Sequence, residues 1–98
     1  MAVTVLNFSD QNGNYVSDAI KTTDDNIAIQ IKYETPGGTS LERSIDGVDF
    51  VPCASIMSYG SKENVIERNV SGIVVGTNLR IRFLPGVVPT EIKVLQHN

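Results

Sequence analysis

The residues that could perform nucleophilic or acid–base chemistry are few in this chain of 98 residues. Cys53 is the single cysteine and His97 the single histidine, and His97 is the penultimate residue. A catalytic histidine must be held in place by its neighbours, whereas chain ends usually fray. No nucleophile signature surrounds Cys53, which follows Pro52 in a strand-like segment. We therefore predict that neither side chain is catalytic.

Four aspartates could form a carboxylate pair for acid–base work. Such a pair requires fixed spacing and a pocket that raises the pKa of one carboxyl group. All four lie in sequences that predict exposed turns, where a carboxylate stays solvated and acidic. The pattern favours turn initiation over catalysis, and we predict no enzyme activity. The four residues are Asp24, Asp25, Asp46 and Asp49.

An early polar stretch alternates Asp and Asn side chains, which can supply oxygen ligands to Ca²⁺. The EF-hand pattern fails here, because the glycine stands at the fourth loop position instead of the sixth and a lysine stands at the twelfth. The stretch therefore favours a hairpin turn over a calcium site, and we predict no metal and no cofactor. It comprises Asp10, Asn12, Asn14 and Asp18.

Apolar and polar residues alternate with period two along most of the chain, which is typical of strands with one buried and one solvated face. Turn-forming sequences such as Asn12-Gly13 and Asp46-Gly47 separate these runs. Spacing of about 8–14 residues between strand starts is typical of an all-β sandwich or small barrel. We predict an immunoglobulin-like antiparallel β-sandwich of seven or eight strands in one domain over residues 1–98. Its predicted core comprises Ile27, Ile29, Ile31, Leu79, Ile81, Phe83, Ile92 and Val94.

Composition excludes several classes of protein. A hydrophobic fraction of 41 % and a charged fraction of 19 % are ordinary for a folded domain and too apolar for a disordered chain. The net charge of −3 argues against nucleic acid as a partner, because phosphate binding requires a basic face. No apolar run in the sequence is longer than Ile73-Val74-Val75, so we predict no membrane-spanning segment. The N-terminus has no secretory signal pattern. One cysteine excludes an internal disulfide.

Two segments resemble known families. The segment from Val65 to Arg82 resembles the E–F region of fibronectin type III and related immunoglobulin-like sandwiches, with Gly76-Thr77 as its turn and Leu79 where the family has its corner tyrosine. The segment from Leu41 to Pro52 is similar to the S-x-D-G-x-x-F hairpin of short immunoglobulin-like modules in bacteriophage virion proteins and bacterial surface proteins. The second resemblance implies a four-residue loop that pairs Ile45 with Phe50.

The resemblance, together with the missing export signal, implies a small accessory virion protein of a tailed phage. Auxiliary capsid, decoration and head-fibre proteins meet this description, and the chain would be made in the host cytoplasm. It would dock non-covalently on other virion proteins such as major capsid or fibre subunits, and a homo-oligomer is compatible with that role. The alternative is a carbohydrate- or receptor-binding adhesin module of a larger surface protein. That alternative requires exposed aromatic side chains in one groove, and only Tyr15, Tyr33 and Tyr59 are available.

Apolar side chains in loops indicate where such docking would occur, since Tyr and Met are enriched at interface cores. We expect contacts from the loop over residues 57–64, from the pair of valines between two prolines, and from two arginines on one strand face. Two alternatives stay open. The loop residues could fold back to close the ends of the sandwich, and the arginines could form a solvated strand face. The candidate partner-binding residues are Met57, Tyr59, Val87, Val88, Arg80 and Arg82.

Overall fold

Ten strands form two antiparallel sheets in the computed structural model, which describes residues 2–58 and 60–97. No helix occurs in these two ranges. Accordingly, none of the described residues belongs to a helix that could cross a membrane. The strands are β1 (Ala2–Leu6), β2 (Phe8–Gln11), β3 (Asn14–Ser17), β4 (Ile20–Lys21), β5 (Asn26–Thr35), β6 (Thr39–Ser44), β7 (Val51–Met57), β8 (Val65–Ser71), β9 (Asn78–Phe83) and β10 (Val88–Gln96).

The two sheets pack face to face as a β-sandwich, which confirms the predicted fold class and is compatible with an immunoglobulin-like fold. A four-stranded sheet has the order β1-β10-β5-β8. A six-stranded sheet has the order β2-β3-β9-β6-β7, with β4 also paired to β9. The strand count exceeds the predicted seven or eight for two reasons. The first strand divides at Asn7 between the two sheets, and the two-residue β4 forms a separate pairing.

The core lies between the sheets, and all eight residues predicted for it are buried. Side chains on alternate positions of β5, β9 and β10 point inward, so that Ile31 pairs with Ile92 and Leu41 with Ile81 across the ladders. The predicted Asn12-Gly13 hairpin is also confirmed, with φ angles of 58° and 92° that suit a two-residue turn.

One end of the sandwich is closed by two residues predicted to lie in contact loops. Met57 is the last residue of β7 and is buried in the core. Val87 belongs to the same core cluster and packs against Gly37. A Cβ atom at Gly37 would lie 2.6 Å from Cγ2 of Val87. The missing side chain at this position therefore allows Val87 to pack directly over the backbone.

The opposite end collects three connections. The loop before β9 bonds to the loop after β4, where the amide of Thr22 donates to the carbonyl of Thr77 at 2.8 Å and the amide of Gly76 donates to the carbonyl of Thr22 at 2.9 Å. The β6–β7 turn reaches the same end, because Ser44 at the end of β6 pairs with Asn78 at the start of β9. This end carries the apolar residues described next.

Candidate functional site

Three apolar side chains around the β6–β7 turn face solvent. Ile45 is 85 % exposed, Val48 78 % and Val51 55 %. We refer to these three residues as the apolar turn. Ile45 and Val51 line a depression of about 310 Å³ together with Arg43, Asp46 and Asp49. Isolated exposed apolar residues are common, but a group of three on one short turn is typical of an interaction site.

The predicted pairing of Ile45 with Phe50 is wrong. The last pair of the β6–β7 ladder joins Arg43 to Val51, and the residues between form the turn. The ladder also contains a register shift between Leu41 and Glu42, which changes the positions that face each other. Ile45 therefore lies outside the sheet and contributes nothing to the core.

A hydrogen-bond network around one carboxylate holds the turn in shape. Oδ1 of Asp46 accepts hydrogen bonds from the amide of Val48 at 2.9 Å, from the amide of Asp49 at 3.0 Å and from Oγ of Ser44 at 2.8 Å. The amide of Gly47 donates to Oγ of Ser44 at 2.8 Å. Asp at the start of a turn commonly bonds the following amides in this way. The backbone under Val48 is consequently ordered before any partner binds.

The same network explains the acidity of Asp46. The amides of Asp49 and Val48, followed by the Ser44 hydroxyl, stabilise the carboxylate and lower its pKa from 3.8 to about 2.

The backbone of the turn requires a glycine. Gly47 has a φ of 81°, in the left-handed region that glycine adopts without strain. Nδ2 of Asn78 donates to the carbonyl of Ser44 at 3.4 Å and ties the base of the turn to β9.

The two predicted arginines lie next to this turn, but they are paired within the chain. Glu42 is buried on the outer face of the six-stranded sheet, where its carboxylate accepts from Nε of Arg80 at 2.7 Å and Nε of Arg82 at 3.2 Å. The guanidinium of Arg80 also lies 4.0 Å from the ring centre of Phe50. These contacts order the two arginines as a structural cluster, since one carboxylate satisfies both.

The other predicted contact residues within the described ranges are buried or half-buried. Met57 and Val87 are buried, so the alternative in which loop residues close the sandwich describes them. Val88 is half-buried at the start of β10. Tyr59 lies outside the described residues. The apolar turn, which the sequence analysis did not single out, carries a signal that could have identified it, because Ile45 and Val48 directly flank Asp46-Gly47.

The structure also shows where the residues with catalytic potential lie. Cys53 is exposed on β7, where partial burial raises the pKa of its thiol. His97 contacts the carboxylate of Asp24, whose pKa is lowered mainly by the amide of Asn26. The two candidates therefore have different neighbours and do not contact each other. Within residues 2–58 and 60–97, no three His, Cys, Asp or Glu side chains lie together as a metal site would require.

Comparison with known proteins assigns no family to this chain. No protein-family model matches the sequence, and no curated protein matches it. The exposed surface of the fold is therefore the feature from which we infer a function.

Proposed function

We propose that this protein is a docking module that binds another protein non-covalently through the apolar turn, as an accessory virion protein of a tailed bacteriophage. The observation that carries the proposal is the exposure of Ile45, Val48 and Val51 on a turn held by Asp46. A turn that already has its bound shape loses little conformational entropy on docking.

The energetic gain comes from removing apolar surface from water. Full burial of one Val or Ile side chain contributes about 1.5–3 kcal/mol, and three such residues can anchor a small interface. Arg43, Asp46 and Asp49 line the same depression as Ile45 and Val51 and supply charged side chains beside them. An apolar centre inside a polar rim is the usual anatomy of a protein–protein contact.

The phage context rests on the hairpin resemblance. The segment Leu41 to Pro52, which is similar to a hairpin of bacteriophage virion proteins and bacterial surface proteins, contains all three residues of the apolar turn. We propose major capsid or fibre subunits as the partners, since these form the symmetric lattice on which accessory virion proteins dock. The protein would then be made in the host cytoplasm and act on the virion, without enzyme activity.

The adhesin alternative finds less support in the described aromatic side chains. Tyr33 is buried, and its hydroxyl lies 2.6 Å from Oγ1 of Thr39. Tyr15 packs edge-to-face on Phe8 with 5.8 Å between ring centres. A glycan platform requires aromatic faces open to solvent; Tyr33 is too buried to supply one, and Tyr15 is half-buried against Phe8.

The proposal is tested by measuring retention on purified capsids of the cognate phage. Val48→Asp should reduce the amount of protein that co-sediments with capsids at least tenfold, because it introduces a charge into the apolar contact. Val65→Asp is the matched control, since Val65 is an exposed valine on the other sheet. Equal retention of both variants would exclude the apolar turn as the contact surface. No retention of the unmodified protein would exclude the capsid as its partner.

A further inference from the structure

Besides the two-residue β4, which pairs only with β9, the sandwich has four edge strands among the described residues, namely β1 and β8 in one sheet and β2 and β7 in the other. Exposed edges can pair with strands of other chains, and proteins usually block them with charges, proline, bulges or short length. β7 contains Pro52 and pairs irregularly with β6. β8 carries Glu67 and Arg68, and the four-residue β2 carries Asp10. Three of the four edges therefore carry such a device.

The edge strand β1 carries none of them. Its sequence is Ala-Val-Thr-Val-Leu, without charge or proline, and it pairs with β10 in continuous register from Ala2 to Leu6. Val3 is 61 % exposed and Val5 58 % exposed. They pair with Leu95 and Lys93 and so lie on the outer face of the four-stranded sheet.

We propose that β1 pairs antiparallel with β1 of a second copy of this chain and joins two four-stranded sheets into one of eight strands. The segment is self-complementary about Thr4. A two-fold axis through this position places Thr4 opposite Thr4 of the partner subunit and Val3 opposite Val5 of the partner subunit. Cross-strand pairs of β-branched residues and of threonines stabilise antiparallel sheets.

The neighbouring strands fit this register. On the outer face, Leu95, Val3 and the partner's Val5 form one apolar row, and Ala28 continues it inside each subunit. Two charged side chains extend the row of Val5 within each subunit, namely Lys93 and, beyond Gln30, Glu67. Nζ of Lys93 lies 3.4 Å from Oε1 of Glu91. No two like charges face each other across the new strand pair, because β1 has no charged residue.

The size of the contact sets its strength. A stable interface buries about 800 Å² on each partner, and five residues of one strand edge supply less than that. We therefore expect a weak dimer with a dissociation constant in the range of about 10 µM to 1 mM. The dimer uses the sheet opposite to Glu42 and the apolar turn, so it goes beyond the proposed docking function and does not depend on it.

Sedimentation of the full chain over that concentration range tests the proposal. The unmodified protein should shift from monomer to dimer, and Val5→Lys should weaken dimerisation at least tenfold, because lysine on an edge opposes pairing. Val65→Lys is the control, since Val65 has nearly the same exposure, 55 %, on the opposite edge of the same sheet. A monomer at all concentrations, or a dimer that Val65→Lys disrupts and Val5→Lys does not, overturns the proposal.

Cross-linking provides a second measurement in which the register is tested directly. In a Cys53→Ser background, Thr4→Cys should form a disulfide-linked dimer under mild oxidation, since opposed residues of an antiparallel pair lie within disulfide reach. Asn69→Cys on β8 serves as the exposed control and should remain monomeric. Equal cross-linking of both variants would indicate random collision and would contradict the β1 pairing. Unchanged circular dichroism spectra would verify that both variants fold.

Discussion

Oδ1 of Asp46 accepts a hydrogen bond from the amide of Val48 at 2.9 Å, so a carboxylate orders the backbone of a valine that is 78 % exposed. The same oxygen also accepts from the amide of Asp49 and from the hydroxyl of Ser44. Exposed valines on mobile loops lose entropy when they dock, whereas this one is already ordered. Asp46 therefore lowers the entropy that Val48 would lose on binding a partner.

The order of this turn should depend on pH. The pKa of Asp46 is lowered from 3.8 to about 2, so its stabilising contribution is present above pH 3.8 and is lost as pH falls through about 2. The amide resonances of Val48 and Asp49 in a ¹⁵N NMR titration should shift with a midpoint near pH 2. Asp46→Asn should abolish that titration at both amides, and a midpoint near pH 4 would contradict the hydrogen-bond network.

Shortening a core side chain should destabilise the sandwich strongly. Ile81 is buried and pairs with Leu41 across the β6–β9 ladder. Ile81→Ala should reduce the free energy of unfolding by about 2–5 kcal/mol, through lost burial and a residual cavity. Urea denaturation measures the change. Val74→Ala is the surface control and should alter the free energy of unfolding by less than about 0.5 kcal/mol.

Substitution of the two glycines before β6 should have different costs, because Gly37 lies against the buried Val87 and Gly38 against the exposed Leu84. A Cβ atom at Gly37 would lie 2.6 Å from buried Val87, and one at Gly38 would lie 2.4 Å from Cδ1 of exposed Leu84. The exposed Leu84 side chain can rotate into solvent, whereas Val87 is buried and its β-branched side chain has few χ1 rotamers to adopt. Gly37→Ala should therefore cost about 1–3 kcal/mol in thermal or urea unfolding, and Gly38→Ala clearly less. The reverse order would show that Val87 does not close this end of the sandwich.

The buried carboxylate between the two arginines should matter more than the exposed ion pairs. Glu42→Gln removes the charge that Arg80 and Arg82 share at 2.7 and 3.2 Å, and we expect a loss of about 1–3 kcal/mol. Glu91→Gln is the control, because Glu91 lies 3.6 Å from Lys32 in a half-exposed pair and should cost less than about 1 kcal/mol. Added salt should change the free energy that the Glu42–arginine cluster contributes to the unmodified protein only a little, since buried ion pairs are weakly screened. Equal losses in the two variants would argue against a special role for Glu42.

Local alternation in the sequence is enough to predict the central strands and their inward faces. Alternation at Ile27, Ile29 and Ile31 has the period of a strand, and the register that follows buries all three together. The Asn12-Gly13 turn was equally predictable, because few residue pairs adopt two positive φ angles at low cost. Both signals are local, since backbone dihedral angles and side-chain alternation depend on adjacent residues.

Tertiary packing determines which apolar residues outside the strand centres are buried by other segments of the chain. The sequence predicts Met57 and Val87 in contact loops and Ile45 at a paired strand end, yet Met57 and Val87 are buried and Ile45 is exposed. The pairing of Arg80 with Glu42 likewise joins positions 38 residues apart. Such outcomes depend on how distant strands and end loops meet, because burial of a residue at a strand end is set by the segments packed over it and not by its sequence neighbours.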